Sequence, residues 1–242
     1  MKMPQFTKTP PLVSFRLDLQ FENPLQTTFE NMAKIEAYLK DQYQNVTELT
    51  LVGLNVPVDF PLKIGPIRFL AREKDHEINF FSNGIVFIFK KYTHWEEVKK
   101  QVLDSFQKIK EIFDIGTINQ LRMEYLDDFD LPAEGFDIKN YFSLSLNKNE
   151  DWDLDYSDFH IGIKFQTENN HKIIYRLRGI KKIEEQYKIR LESLYLAEVE
   201  CSVTRQLEEL NEQLDLIHGK ISNYFWSIMT KKTKDLYGVI DE

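Results

Sequence analysis

Segments in which apolar and polar residues alternate recur along this chain, and most of them follow one another after short connections. In the clearest segment every second residue is apolar: Val13, Phe15, Leu17, Leu19 and Phe21. Alternation with a period of two is typical of a strand with one buried and one wet face. Parallel strands need a crossover of roughly a dozen residues, so the short connections predict antiparallel pairing.

Further strands are predicted where alternation continues or where aromatic and β-branched residues dominate. Their ranges are 47–55, 67–73, 77–82, 85–90, 118–126, 141–146, 159–167, 172–179 and 187–200. Asn83-Gly84 lies between two aromatic-rich runs and predicts a hairpin with a type I′ turn. A second hairpin is expected between 141–146 and 159–167, and a short helical turn at 137–140.

Three segments carry apolar residues at helical spacing, and they span 28–43, 93–116 and 204–230. Thr27 with Glu30, and Thr93 with Glu96, have the three-residue spacing of a capping box. The third helix keeps near-heptad spacing, so it either packs along a sheet or pairs with a second copy of the chain. Its apolar residues are Leu207, Leu210, Leu214, Ile217, Ile221 and Ile228.

The order of these elements predicts an α+β fold, in which an antiparallel sheet of about nine to ten strands packs against three long helices. A capped helix followed by an antiparallel meander occurs twice, which suggests an internal duplication. No linker rich in glycine, serine or proline divides the chain. We therefore expect one domain over residues 1–242, with loose order at 1–10 and 231–242.

Composition limits the environment and the partners of the protein. Cys201 is the only cysteine, so no intrachain disulfide can form, which is typical of a reducing compartment. The N-terminus is polar, unlike a signal peptide, and the apolar runs are far shorter than the ~20 residues that span a bilayer. These features predict a cytoplasmic protein without a membrane segment. The net charge is −8 and the basic pairs are scattered, so nucleic acid is not an expected partner.

Motifs for metal or nucleotide chemistry are incomplete. Asp151, Asp153 and Asp155 resemble the start of a calcium loop, but Tyr156 and Gly162 stand where an EF-hand needs glycine and glutamate. None of the five histidines has the spacing of a zinc pair, and neither a Walker loop nor a Gly-x-Gly-x-x-Gly motif occurs. We therefore expect no cofactor and no metal, and we assign no catalytic residue.

Two sets of residues leave open the alternative of a metal-binding or catalytic site. Asp127, Asp128 and Asp130 follow a strand, where they could gather a divalent ion or simply form a turn. Asp215 and His218 lie three residues apart on the last helix and so share a face. A carboxylate there can orient the imidazole and raise its pKa, which is the start of a catalytic pair, or it can make a structural contact.

Arg122 and Glu124 alternate with apolar neighbours on a predicted strand and point away from the core. Their side chains form either an ordinary wet face or a polar groove on the open side of the sheet. Together with Asp215 and His218, they are the candidate binding residues of the sequence.

Three stretches of the chain resemble sequences of a known protein family. They are residues 10–17 (PPLVSFRL), residues 121–132 (LRMEYLDDFDLP) and residues 214–218 (LDLIH), the last followed by Phe225. With them the chain resembles a sporadically distributed family of bacterial proteins of about this length, to which no activity is assigned. The resemblance therefore implies no activity, and the patchy distribution implies mobile or defence-type gene neighbourhoods.

These observations favour a non-enzymatic binding or interaction protein. It would be a partner, sensor or antitoxin-like subunit in a bacterial, phage-defence system, with a protein partner and a homodimer formed through the C-terminal helix. The alternative is a metal-assisted hydrolase or nuclease that uses Asp127, Asp128 or Asp215 with His218. A third hypothesis is a groove between sheet and helix that binds a small ligand or a peptide.

Overall fold

The structure is a computed structural model that describes residues 5–6, 11–26, 28–45, 67–71, 73, 75–92, 94–144, 159–167, 171–202 and 207–240. Its elements are, in chain order, β1 (Gln5–Phe6), β2 (Leu12–Phe21), α1 (Phe29–Leu39), β3 (Tyr43–Asn45), β4 (Ile67–Ala71), β5 (His76–Phe81), β6 (Gly84–Phe89), α2 (Trp95–Ile112), β7 (Thr117–Pro132), a 3-10 turn (Ile138–Asn140), β8 (His160–Gln166), β9 (Lys172–Ile183), β10 (Gln186–Ser202), α3 (Leu207–Ile228), α4 (Lys231–Leu236) and β11 (Val239–Ile240).

The strands confirm the predicted antiparallel sheet. Within the described ranges, nine of them form one sheet in the order β3-β4-β5-β6-β2-β7-β10-β9-β8, and β1 pairs separately with β11. The longer helices, α1, α2 and α3, have 11, 18 and 22 residues. The result is a mixed fold of helices and one large antiparallel sheet.

The chain forms two compact units. Unit 1 comprises Met1–Val13, Glu124–Tyr195 and Leu216–Glu242, and unit 2 comprises Ser14–Met123 and Leu196–Asp215. Strands β7 and β10 and helix α3 therefore contribute residues to both units. A single domain over residues 1–242 stays a prediction.

The core of unit 2 follows the alternation that the sequence predicts for β2. The inward residues of this strand from Phe15 to Phe21 are almost fully buried, whereas Val13 at its start is 39% exposed. Helix α2 buries one face, and its Phe106 ring lies 6.4 Å from the Phe21 ring. Aromatic side chains thus pack between the sheet and this helix in unit 2.

The turn between β5 and β6 differs from the predicted type I′ turn. Ser82 and Asn83 form its loop, so Gly84 already belongs to β6. A type I′ turn needs positive φ at both central residues, and among the described non-glycine residues only Glu184 has one. Gly84 has another role, because a Cβ there would lie 2.6 Å from the carbonyl oxygen of Leu19 on β2.

Helix caps also differ in detail from the sequence-based prediction. Thr28 caps α1, and its Oγ1 accepts a hydrogen bond of 3.2 Å from the amide of Asn31. Helix α2 begins after His94, whose side chain makes no capping bond. The predicted features at Thr27, Thr93, 47–55, 151–155 and 203–206 lie outside the described residues.

Strand β8 has a different partner from the predicted one. It pairs with β9 in a continuous ladder that places Ile163 opposite Tyr175 and Phe165 opposite Ile173. The described part of 141–146 contributes only an isolated bridge between Phe142 and Met229. The described residues 141–144 therefore do not form the expected hairpin with 159–167, and residues 145–146 lie outside the described part of the chain. The predicted helical turn is present as the 3-10 turn, capped by Asp137.

The described residues after α3 form the short helix α4 and strand β11, and loose order at 231–242 stays a prediction. Thr230 caps α4, and its Oγ1 accepts a hydrogen bond from the amide of Thr233. The buried Thr233 hydroxyl donates to the carbonyl oxygen of Tyr141. The Tyr237 ring lies edge-on to Phe129, 5.3 Å between centroids. These contacts hold a segment whose composition is mostly polar.

The heptad-like stripe of α3 is used inside the chain. Its members from Leu210 to Ile228 are buried: Leu210, Leu214, Ile217, Ile221 and Ile228. A coiled coil with a second copy would need that stripe to be accessible. The stripe therefore gives no support to a homodimer through this helix. In the part of the chain that the structure describes, no helix has the length and apolarity needed to cross a membrane.

Candidate functional site

Arg122 and Glu124 lie on the face of β7 opposite its buried residues, as predicted. In unit 2, Arg16 donates to both carboxylate oxygens of Asp18, at 2.6 and 2.8 Å. The Arg122 Nε atom lies 4.0 Å from Asp18 Oδ2. Partly exposed pairs of this kind contribute little stability. A polar groove on this face stays a prediction.

Asp215 is engaged by helix α2 of unit 2. Its carboxylate accepts hydrogen bonds from Trp95 Nε1 at 2.7 Å and from Lys99 Nζ at 2.8 and 2.9 Å. Burial opposes the charge of Lys99, but hydrogen bonds to Asp215 and Glu96 outweigh it and raise the pKa of Lys99. Asp215 thus has a structural role at this contact, independent of any role as the partner of an imidazole.

His218 has its partner in unit 1. Its Nδ1 atom and the hydroxyl of Tyr125 share a buried hydrogen bond of 2.5 Å. The two rings are 5.9 Å apart between centroids. A buried pair of this kind joins α3 to the sheet within the unit, which is the structural alternative that the sequence leaves open for this histidine.

Replacing Tyr125 by phenylalanine is expected to lower the free energy of unfolding by about 1–2 kcal/mol, because the buried imidazole loses a partner. Urea unfolding followed by circular dichroism measures this difference. Tyr38→Phe is the control, since Tyr38 is exposed on α1 and should change stability by less than about 0.5 kcal/mol. Equal effects of the two variants would contradict a structural role for the Tyr125 hydroxyl.

The three aspartates of β7 do not form a metal site together. Asp127 is buried, Asp128 binds Arg190 through two bonds of 2.7 and 2.8 Å, and Asp130 is exposed. Neighbouring residues of a strand point to opposite faces, so Asp127 and Asp128 cannot approach one ion. Among the described side chains, no group of three or more His, Cys, Asp or Glu residues could hold a metal ion.

Two buried groups of the chain are held in their neutral form. Burial raises the pKa of Asp127 well above its ordinary value, and the charge of Asp128 adds to this effect. Burial also raises the pKa of Cys201 to about 11. A thiol attacks as its thiolate, so Cys201 is poorly suited to act as a nucleophile at neutral pH.

Unit 1 contains a half-open cavity of about 540 Å³ with a lining of mixed chemistry. Strands β8, β9 and β10 form its floor, and the second half of α3 forms its wall. The lining residues are Phe165, Gln166, Thr167, Ile173, Tyr175, Tyr195, Lys220, Tyr224, Ser227 and Ile228. Ligand cavities commonly have about 300–1,000 Å³ and combine apolar walls with a few polar groups.

Two buried tyrosines of the cavity lining differ in whether their hydroxyl has a hydrogen-bond partner. The Tyr195 hydroxyl shares a hydrogen bond of 3.0 Å with Nδ1 of the buried His171. The Tyr175 hydroxyl is also buried, but it has no hydrogen-bond partner among the described residues. Burial raises the pKa of Tyr175, so this hydroxyl keeps its proton. A buried polar group without a partner costs free energy, which a ligand that accepts its hydrogen bond would recover.

None of the candidate residues from the sequence lines this cavity. The residues of α3 that do are Lys220, Tyr224, Ser227 and Ile228. Tyr224 and Ile228 follow Lys220 at successive spacings of four, and Ser227 follows Tyr224 by three, so they lie on one side of the helix. Lys220 and Tyr224 lie beside the apolar stripe of α3, and this pattern is the sequence signal that could have indicated the helical part of the cavity. The residues Ile173, Tyr175 and Tyr195 carry no such signal, because they are buried strand positions like many others in the core.

No protein-family model matches the chain, and no curated protein sequence matches it either.

Proposed function

We propose that the chain is a non-enzymatic binding protein, of the sensor type, that holds a small molecule in the cavity of unit 1. One observation carries the proposal: an aromatic-lined cavity of about 540 Å³, one of whose lining residues, Tyr175, has a buried hydroxyl with no partner among the described residues. Structural cores satisfy such groups as a rule, whereas binding sites present them to a ligand.

The chemistry of the cavity favours binding over catalysis. Its lining has aromatic, aliphatic, amide, hydroxyl and ammonium groups, but it includes no carboxylate or imidazole that could act as a general base. The imidazole of His171 is behind the lining and is engaged by Tyr195. A site of this composition can orient and retain a molecule without transforming it.

A tryptophan at position 227 is expected to fill the cavity and abolish binding. The low-molecular-mass filtrate of a bacterial lysate should raise the melting temperature of the unmodified protein, since a ligand at about 100 times its Kd adds about 2.7 kcal/mol. Ser227→Trp should show no such rise. Differential scanning fluorimetry measures the shift, and mass spectrometry of the denatured protein identifies what was bound.

Asn223→Trp is the matched control, because Asn223 is exposed on the same helix and does not line the cavity. It should respond to the filtrate like the unmodified protein. The proposal fails if the filtrate stabilises none of the three proteins, or if Ser227→Trp responds as strongly as Asn223→Trp.

The proposal extends to a protein partner that reads the bound state in a bacterial defence system. Leu216 supports this extension, because it is 47% exposed on the outer side of α3 in the unit that contains the cavity. An exposed leucine next to a ligand site can contact a partner whose affinity depends on the ligand.

Duplication is also part of the proposal. In the first half, β2 is followed by α1, then by a meander whose last strand, β6, lies beside β2, and then by α2. Helix α1 has no α-helical counterpart between β7 and β8 among the described residues. In the second half, β7 is followed by a meander whose last strand, β10, lies beside β7, and then by α3. The repeated strand order supports descent of both halves from one ancestral unit.

A further inference from the structure

The cavity of unit 1 carries a single formal charge. Lys220 is the only charged residue among those that line it. The ammonium group lies 6.0 Å from the centroid of the Tyr195 ring. No carboxylate of the described residues forms an ion pair with Lys220. An ammonium without a counter-charge in a half-enclosed site attracts an anionic group of a ligand.

A second donor is present in the same lining. The Tyr175 hydroxyl is neutral and without a partner among the described residues, so it can donate one hydrogen bond to an acceptor. The Tyr195 hydroxyl is already bonded to His171. An ammonium and a phenol together match a group that has one negative charge and two acceptor oxygens, as a carboxylate has.

The apolar side chains that line the cavity indicate the chemistry of the uncharged part of the ligand. Phe165 is 46% exposed on β8 and Tyr224 is 42% exposed on α3, so both present ring surface at the cavity. Ile173 and Ile228 add buried apolar surface. Aromatic pairs prefer offset-stacked or edge-on contact, which a planar ring can make with such walls.

Other ligand classes fit this lining less well. A cationic ligand would meet the charge of Lys220 without a compensating carboxylate. A phosphate ester has up to two negative charges, whereas the lining supplies one ammonium and, at Tyr175, one neutral donor without a partner among the described residues. We propose, building on the function proposed above, that the ligand is an aromatic monocarboxylate held by Lys220 and Tyr175.

Isothermal titration calorimetry with indole-3-acetate and with indole-3-acetamide tests this class, because the two molecules differ mainly in charge. The acid should bind about tenfold or more tightly than the amide, since charge-assisted hydrogen bonds are the stronger ones. Lys220→Met should weaken binding of the acid about tenfold or more, while Lys220→Arg should retain most of it. Tyr175→Phe should weaken it about three- to tenfold.

Lys232→Met is the matched control. Lys232 also lies over a tyrosine ring in unit 1, at 4.6 Å from the Tyr141 centroid, but it does not line the cavity. This variant removes the same charge and should leave the affinity unchanged. Circular dichroism spectra establish that each variant is folded before it is titrated.

The ligand class is overturned if the amide binds as tightly as the acid, if Lys220→Met binds the acid like Lys232→Met, or if the acid does not bind. In these cases a melting-temperature rise with the lysate filtrate, absent in Ser227→Trp, would leave the proposed function standing. If the filtrate gives no rise either, the proposed function fails together with the ligand class.

Discussion

The variant Gly84→Ala is expected to lower the free energy of unfolding by about 1–3 kcal/mol, measured by urea denaturation. The added Cβ would lie 2.6 Å from the carbonyl oxygen of Leu19. Backbone atoms of a paired strand cannot move aside as the end of a flexible side chain can. Gly84 pairs with Gln20 at the contact between β6 and β2, so the ladder itself has to shift.

Gly162→Ala provides the comparison. Gly162 lies in strand β8, and nothing lies within 4 Å of an added Cβ. Alanine also restricts the unfolded chain more than glycine does, so this variant should be neutral or more stable by up to about 1 kcal/mol. If Gly84→Ala were as stable as Gly162→Ala, the close approach of β2 to β6 would be contradicted.

Asp127→Asn is expected to stabilise the protein by about 1–3 kcal/mol at neutral pH. The Oδ2 atom of Asp127 is buried without a hydrogen-bond partner in the described structure. Burial raises the pKa of Asp127 above the ordinary value of 3.8, so the folded state keeps a proton that the unfolded state releases. Asparagine removes this cost of proton uptake.

The pH dependence of the Asp127 effect has a defined sign. Below about pH 4 both states bind the proton and the cost is absent. As the pH rises, the unfolded state releases its proton first and gains stability relative to the folded state, so the advantage of Asp127→Asn grows toward neutral pH. Urea titrations between about pH 4 and pH 8 measure it. Asp130→Asn is the control, because Asp130 is exposed on the same strand, and it should change the free energy of unfolding by less than about 0.5 kcal/mol. If the stability advantage of Asp127→Asn became smaller as the pH rises, a raised pKa of Asp127 would be contradicted.

The sequence was sufficient to predict the position and orientation of those strands that have one apolar and one polar face. From Phe15 to Phe21 in β2 and from Ile118 to Tyr125 in β7 the apolar residues are buried and the polar ones are at least partly exposed, so period-two alternation predicted both position and orientation there. The antiparallel pairing followed from the short connections. Strand ends were less predictable, since β7 extends to Pro132 and β9 to Ile183, beyond the residues that alternate most clearly.

Pairing partners could not be predicted from periodicity. Strand β8 has no feature that distinguishes β9 from residues 141–146 as its neighbour, and the outcome depends on which ladder closes with the shorter connection. Helix α4 was not predicted from the sequence for a related reason. Its anchors, the Thr233 hydroxyl and the Tyr237 ring, meet Tyr141 and Phe129, which are about a hundred positions away in the sequence.

The candidate site shows the same limit. The sequence favoured Asp215 and His218, but each is engaged in a contact of its own unit, with Lys99 and with Tyr125 respectively. The cavity combines residues of three strands and a helix, and only their convergence distinguishes the unpaired Tyr175 hydroxyl from the paired Tyr195 hydroxyl. Residue type alone cannot show which buried phenol lacks a partner.

Isoleucine methyl NMR during addition of the low-molecular-mass lysate filtrate tests most directly whether the cavity of unit 1 is the binding site. The account predicts saturable shifts of the Ile173 and Ile228 methyl signals, which line the cavity, and unchanged signals from Ile78 and Ile85 in the core of unit 2. Unchanged signals from Ile173 and Ile228, or shifts of similar size at all four residues, would contradict it.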